Sequence, residues 1–369
     1  MHKESFNHRP RNEDHYHHIQ AILTYFGTMS ATTSPTTLVA GKTVGRLGYG
    51  LMGLSSWNLL VDPVPFPQED AFAAMKTAVD SGANCWSTAT FYGPPTDPTA
   101  NLKLIRAFFD KYPEYISKVV LIVKGGMDVR SRSPAKGDDI EFFRNEIEQV
   151  KAILGDKELD VYSLARIGGT AVETTFTNMA QLIKEGAVKA IGVSEMSAAS
   201  LEKAHKICPI SINEIEVSLF SYEPSIRDSV AWCTAHSVPI LAYSPLGRGQ
   251  LTRRYRSLED IPAGDFRTMF PRFQGQAFYD NQKLVDQVEE IAKKKGVTAG
   301  QLSLAWVLAQ SEFAIPIPGS RNVDRVRENA SATDVKLNNE EVEALNKLAS
   351  AFEVQGARYP EMFQKDLMK

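Results

Sequence analysis

The chain has 369 residues, 43% hydrophobic and 23% charged, which is enough apolar material to bury the core of one large domain or two modest ones. A formal net charge of −3, from 41 basic and 44 acidic residues, argues against a cationic surface for nucleic acid or anionic lipid and leaves a small molecule as the expected partner. Three scattered cysteines (Cys85, Cys208, Cys233) give neither a disulfide framework nor C-x-x-C metal spacing, and no apolar run reaches the roughly 18 residues of a membrane span. The expectation is therefore a protein of the reducing cytoplasm, with the nucleus left open, that has no metal, no membrane contact and no obligate protein partner.

In chain order, residues 1–38 read as a disordered leader. His2, His8, His15, His17 and His18 lie among polar and charged residues, and a Ser/Thr/Pro tract runs over Thr32–Thr37. The histidines lack the cysteines and ordered frame of a metal site. The segment has no apolar stretch of a signal peptide, and Glu4, Glu13 and Asp14 argue against a transit peptide. Met29 is an alternative start. One domain is expected over 39–369.

From about residue 44, short β-rich runs occur at Val44–Leu51, Ala83–Ser87, Val119–Lys124, Leu159–Leu164, Val188–Val193, Ser211–Val217, Val238–Tyr243 and Ala314–Ile317. Helical patterns fall between them: Glu69–Asp80, Pro98–Lys111 with Asp97 as N-cap, Ile140–Leu154, Val172–Glu185, Ala198–Lys206 and Ile226–His236. Two more, Gln282–Lys295 and Ala299–Ala309, precede the eighth run, and Asn339–Phe352 follows it. Such alternation builds right-handed βαβ units, and eight of them predict a (β/α)₈ TIM barrel. The Arg-rich stretch Gly247–Tyr279 is predicted to be a long loop, of the kind that is functional or mobile.

Gly48, Gly50 and Gly53 spell G-x-G-x-x-G, with Glu69 or Asp70 at the distance of a ribose-binding acid, which raises a dinucleotide-binding doubly wound fold as the competitor. Against it, Ser55–Pro67 carries three prolines and no helical pattern where the phosphate-binding helix should start. The glycines then serve a tight strand exit.

In a barrel the chemistry lies on the loops at the strand C-termini. The second strand leaves through Ser87-Thr-Ala-Thr-Phe-Tyr-Gly93, and the third ends its apolar run at Lys124-Gly-Gly126. An ammonium beside Tyr92 would lower the phenol from its usual value of about 10, letting it protonate a carbonyl oxygen as hydride arrives at carbon. The bland alternatives are an aromatic that packs a loop and a solvated lysine at a strand end.

Six segments in order then resemble the aldo-keto reductase family across roughly residues 44–350: Gly50-Leu-Met-Gly53, Gly82 to Gly93, Val123-Lys-Gly125, Ile191-Gly-Val-Ser194, Ala242-Tyr-Ser-Pro-Leu-Gly247, and Ile315-Pro-Ile-Pro-Gly-Ser320 with Glu328-Asn329. The combination of Trp86-Ser87, Lys124-Gly-Gly126, Ala165-Arg166, Ser194-Glu195, Glu214-Ile-Glu216 and Ser218-Leu-Phe220 is similar, more narrowly, to the pyridoxal reductases of fungi.

The resemblance implies a barrel of the aldo-keto reductase type with NADPH as cofactor and a small carbonyl compound as substrate. Of the family's Asp, Tyr, Lys and His, it assigns the proton donor to Tyr92 and its partner to Lys124. Ser87 stands at the aspartate's position, removing a negative charge and leaving Lys124 freer to acidify Tyr92. Arg166 aligns with the histidine after one residue of slippage, as a fixed cation near the substrate oxygen or as half of a structural ion pair. Tyr243 is expected to stack on the nicotinamide, with Ser194, Glu195 and Glu214 at its carboxamide. Ser244, Leu246 and Gly247 would border the pyrophosphate under the long loop. Ile317, Gly319 and Ser320 would lead into a helix whose Arg321 and Arg325 meet the 2′-phosphate, while Glu328 and Asn329 reach adenine. The implied activity is reduction of an aldehyde to an alcohol, pyridoxal to pyridoxine. A general aldehyde or ketone reductase is one alternative. A cofactor-binding regulatory barrel is another, because Ser87 and Arg166 replace half of the four residues.

Overall fold

The computed structural model describes residues 36–55, 66–128, 131 and 133–369. The predicted leader lies outside them up to residue 35. Its last residues, Thr36–Leu38, instead belong to a strand: Thr36–Val39 pairs antiparallel with Lys42–Gly45 across Ala40 and Gly41, both left-handed as this tight hairpin turn requires. Val39 and Val44 are fully buried in the innermost core, each contributing about 1.5–3 kcal/mol by leaving water, so the hairpin seats itself in the barrel.

Eight parallel strands follow: β1 (Gly48–Gly50), β2 (Cys85–Ala89), β3 (Val120–Gly125), β4 (Val161–Leu164), β5 (Ile191–Ser194), β6 (Ile210–Glu216), β7 (Ile240–Tyr243) and β8 (Ala314–Pro316). Each is hydrogen-bonded to the next in chain order, from β1 to β8. The predicted strand around 44–51 is thus two elements, a hairpin arm and β1. The ring closes by packing of β8 on β1, and here the glycines find their use. A Cβ at Gly48 would lie 2.8 Å from the Ile317 side chain, and one at Gly50 would lie 2.8 Å from the Ile317 carbonyl oxygen. They permit backbone contact at the seam, no phosphate-binding helix starts directly after them, and Glu69 is tied to Lys111.

Helices α1 (Gln68–Asp80), α2 (Ala100–Lys111), α3 (Ile140–Leu154), α4 (Val172–Lys184), α5 (Ala198–Ile207) and α6 (Pro224–Ala235) cross over between strands. They are followed by α7 (Gly275–Lys295), α8 (Ala299–Ala309), α9 (Val323–Ser331) and α10 (Asn339–Ala351). None is long and apolar enough to cross a membrane. Asp97 does not cap α2. It takes Lys103 and the Thr99 hydroxyl in the turn before it.

Side chains alternate along each strand. On β3, Leu121 and Val123 face the helices, whereas Val120 and Ile122 point into the barrel. The same alternation directs Cys85 on β2, Ile212 on β6 and Leu241 on β7 inward. One step of two residues toward the C-terminal mouth, the inward residues become Ser87, Lys124, Glu214 and Tyr243, which form the floor of a cleft.

Two segments roof that mouth. The predicted loop after β7 is shorter than expected, since α7 starts at Gly275. It folds as short turns around its own cluster of Tyr255, Ile261, Phe270, Phe273 and Phe278. The chain after α10 also returns across the mouth, and its end is held where Lys369 accepts from the Ser197 amide and donates to the Glu195 carbonyl.

Candidate active site

The floor is a closed set of charges. Lys124 donates from Nζ to Ser87 Oγ at 2.6 Å and lies 2.9 Å from Glu214 Oε1 and 3.1 Å from Oε2. Ser87 Oγ in turn donates to Glu214 Oε2 at 2.7 Å. All three residues are buried, and the Lys124 ammonium sits 5.0 Å from the centre of the Tyr92 ring. Tyr92 is placed by the turn after β2, where its carbonyl accepts from Ser55 Oγ and from the Asn101 amide.

This corrects one expectation and adds to another. Glu214 lines the cleft, as a carboxamide contact would, and both its oxygens also engage Lys124. The floor has also not lost its negative charge: Ser87 replaces one carboxylate, and Glu214 supplies another from β6. Burial disfavours the Lys124 ammonium, but Glu214 and then Tyr92 more than offset this and hold the amine above its ordinary range. Burial pushes the Tyr92 phenol up; Lys124 draws it back and Glu214 adds to the rise. The phenol is thus a protonated donor in the resting protein, not an acidified one.

Arg166 follows β4 and lines the same cleft, with Nη1 on the Ala165 carbonyl and on Ser194 Oγ at 3.2 Å. Among the described residues it forms no ion pair with a carboxylate, though the charge of Glu195 acts on it. It is a guanidinium presented to the cleft near Tyr92.

The cleft, of about 1670 Å³, exceeds the roughly 300–1,000 Å³ usual for one small ligand, leaving room for a dinucleotide and a second molecule. Ser194, Tyr243, Ser244 and Leu246 line it on one side, and Ile317, Gly319, Ser320, Arg321, Arg325, Glu328 and Asn329 on the other. Two of the predicted residues do not. Gly247 turns inward onto Phe220, and Glu195 is buried beneath Tyr243, accepting from the Tyr243 hydroxyl at 2.9 Å and from Arg358 at 2.8 Å.

Ser320 does not open the helix either. Asn322 caps α9 by accepting from the Arg325 amide at 2.9 Å, and Arg321 stands before the helix with Nε on the Gly53 carbonyl. Arg254 and Arg267 from the β7 loop face the same cleft. Burial, then the nearby Arg254 and Arg267, hold the Arg321 guanidinium below its ordinary range, with Asp265 the one carboxylate working against them. A donor set of several cations that repel one another fits the phosphates of NADPH, whose charge would relieve the repulsion.

The model of the aldo/keto reductase family matches residues 46–350, which span the floor and the rim. The chain belongs to the aldo/keto reductase family. As a member it is an oxidoreductase that works with NADPH. It is 35% identical to the probable pyridoxal reductase 2 of Schizosaccharomyces pombe, over 89% of this chain and 99% of that one. To the aldo-keto reductase yakc [NADP(+)] of the same yeast it is 34% identical, over 88% of this chain and 94% of the relative. In fold it resembles a glycerol dehydrogenase from Gluconobacter oxydans with a TM-score of 0.72 and 21% identity, over 88% of this chain and 97% of that one. An aldo-keto reductase from Klebsiella pneumoniae in complex with NADPH follows at 0.61 and 21%, over 85% and 94%.

In this aldo/keto reductase a second buried network fastens the roof. Glu216 at the end of β6 takes two bonds from Arg248 (3.1 and 3.0 Å) and one from Arg358 at 3.3 Å. Arg272 reaches the same carboxylate through Ser221. Burial opposes the Glu216 charge, but Arg248, Arg358 and Arg272 outweigh it and hold the carboxyl at about 2. Tyr359, beside Arg358, donates to the Tyr243 hydroxyl at 3.0 Å and so helps fix the ring expected under the nicotinamide. The sequence signals were the abundance of arginine in 247–279 and the Glu216 of Glu214-Ile-Glu216, without a link between them. Nothing in residues 353–369 marked Arg358 or Tyr359.

Proposed function

We propose that this enzyme reduces pyridoxal to pyridoxine with NADPH, a step of vitamin B6 metabolism. The observation that carries the reading is Arg166, a guanidinium lining the cleft near Tyr92 without a carboxylate partner among the described residues. Pyridoxal bears a phenolic oxygen next to its aldehyde carbon, and that oxygen is largely ionised near neutral pH. A permanent cation pairs with such an oxyanion where a neutral imidazole does so poorly. The pyridoxal reductase relative supports the same substrate.

When bound, NADPH supplies the hydride. Tyr92 is placed to give its proton to the carbonyl oxygen, and Lys124 stabilises the phenolate left behind. Arg166 orients the ring through its phenolate. Tyr243, fixed by Glu195 and Tyr359, offers a flat face for the nicotinamide, and Arg321 with Arg325 takes the 2′-phosphate. The buried free thiols Cys85, Cys208 and Cys233 suit a reducing, cytoplasmic setting. With Glu214 on Lys124, the floor keeps a charge-paired lysine, which favours turnover over a purely regulatory barrel.

Arg166→His tests the substrate. It should cost pyridoxal about 1.5–3 kcal/mol more in kcat/KM than an aldehyde of similar size lacking the phenol, the worth of a charged hydrogen bond. Equal losses for both would mean that Arg166 does not read the phenolate.

A further inference from the structure

We infer that Glu214 is the positioning residue of this reductase, a carboxylate moved from β2 to β6 that holds the Lys124 ammonium charged beneath Tyr92, with Ser87 as the hydroxyl bridge between them. The inference rests on Tyr92 being the proton donor, and it adds which groups keep that donor working.

The directions of the hydrogen bonds leave little freedom. The Ser87 hydroxyl has one proton, and it goes to Glu214 Oε2; its lone pair therefore receives from Lys124. Lys124 spends donors on Ser87 and Glu214 and keeps charge toward the Tyr92 ring. Below it lie Val120 and Ile122 of the inner core, which would strip the proton from an unpaired amine. Glu214 is the one carboxylate that pairs with Lys124 among the described residues. The other groups bearing on this centre are Tyr92 after β2, the Cys85 thiol below Ser87, Arg166 after β4 and the Tyr359 phenol of the roof.

Ser87 and Glu214 also require each other. An aspartate at position 87 would put its carboxyl carbon about where the serine oxygen now lies, 2.7 Å from Glu214 Oε2, and two carboxylates that close cannot both stay ionised. An acid on β2 or an acid on β6 can serve Lys124, but not both. The longer glutamate side chain suits the longer reach from β6 across the barrel.

The test is a two-by-two set: wild type, Ser87→Asp, Glu214→Gln and the double variant. Each is assayed for kcat against pH with a simple aldehyde, and for NADPH affinity by fluorescence titration. Glu214→Gln should lower kcat at neutral pH by at least about tenfold, a part of the 10²–10⁴ ascribed to the general acid it supports. It should also move the alkaline fall in kcat to lower pH by at least about one unit, because Lys124 then loses its proton sooner. NADPH affinity should stay within about threefold. Ser87→Asp alone should also lower kcat, and the double variant should recover most of both losses, a non-additivity expected only of groups in direct contact. Weakened NADPH binding with an unmoved alkaline limb would make Glu214 a cofactor contact and overturn the inference, as would a double variant no better than the worse single. If Glu214→Gln does not fold, the folded double variant decides: a wild-type alkaline limb supports the inference and a lowered one overturns it. Wild-type kcat in Tyr92→Phe would overturn the inference together with the proton-donor reading, whereas an inactive Tyr92→Phe beside a failed swap overturns the inference alone.

Discussion

On the floor of the cleft Lys124 is buried with Glu214 and Ser87, its charge balanced within 3.1 Å. At the rim Arg254, Arg321 and Arg325 stand exposed, with Arg267 half-buried beside them, and among the described residues Asp265 pairs with Arg267. The floor is complete without a ligand, as a site must be if it is to keep a proton at one atom through each turnover. The rim carries surplus positive charge, which favours a multiply charged anion and costs little while water screens it. The difference separates a place for chemistry from a place for binding.

Breaking the floor should have the largest effect. Tyr92→Phe should lower kcat by about 10²–10⁴, the usual worth of a positioned acid, while NADPH binding measured by fluorescence stays near wild type. An unchanged kcat would place the proton donor elsewhere.

The roof network gives the next largest effect, read as stability. Glu216→Gln leaves Arg248 and Arg358 buried around a neutral amide and should destabilise the fold by about 3–5 kcal/mol in urea unfolding. The sign of its pH dependence follows from the depressed carboxyl. The stabilisation from Glu216 is complete above its ordinary value of 4.5 and is lost as pH falls from there through about 2. The variant should therefore lack part of the wild type's acid-induced loss across that window. Identical acid limbs would show that the carboxylate is not held as described.

The rim should give the smallest and most selective effect. Replacing Arg321 and Arg325 by alanine should weaken NADPH by about 1.5–3 kcal/mol in all, the worth of one charged hydrogen bond because both arginines are exposed, and leave NADH nearly unchanged. Equal weakening would move the 2′-phosphate away from these arginines.

The sequence made the floor legible in part and the rim in large part. Period-two alternation and the abrupt end of an apolar run at Lys124 located the lysine, and the barrel rule brought Tyr92 to it. Glu214 was singled out but its pairing with Lys124 was not, because strand pattern tells which residues point inward and not which of them meet across eight strands. The alternating units gave the barrel itself, while Thr36–Leu38 were missed because a hairpin of polar threonines looks like the tract before it. Arg358 and Tyr359 were beyond reach. They act through hydrogen bonds with Glu195, Glu216 and Tyr243 more than 110 residues away in sequence, and their segment has no periodicity to mark them.

Initial rates with pyridoxal and NADPH, set beside simple aldehydes and NADH and with the product identified chromatographically, test the central claim most directly. Turnover of pyridoxal to pyridoxine, with NADPH preferred over NADH, is the expected result. NADPH binding without turnover of any carbonyl compound would contradict it and make this barrel a cofactor-binding protein.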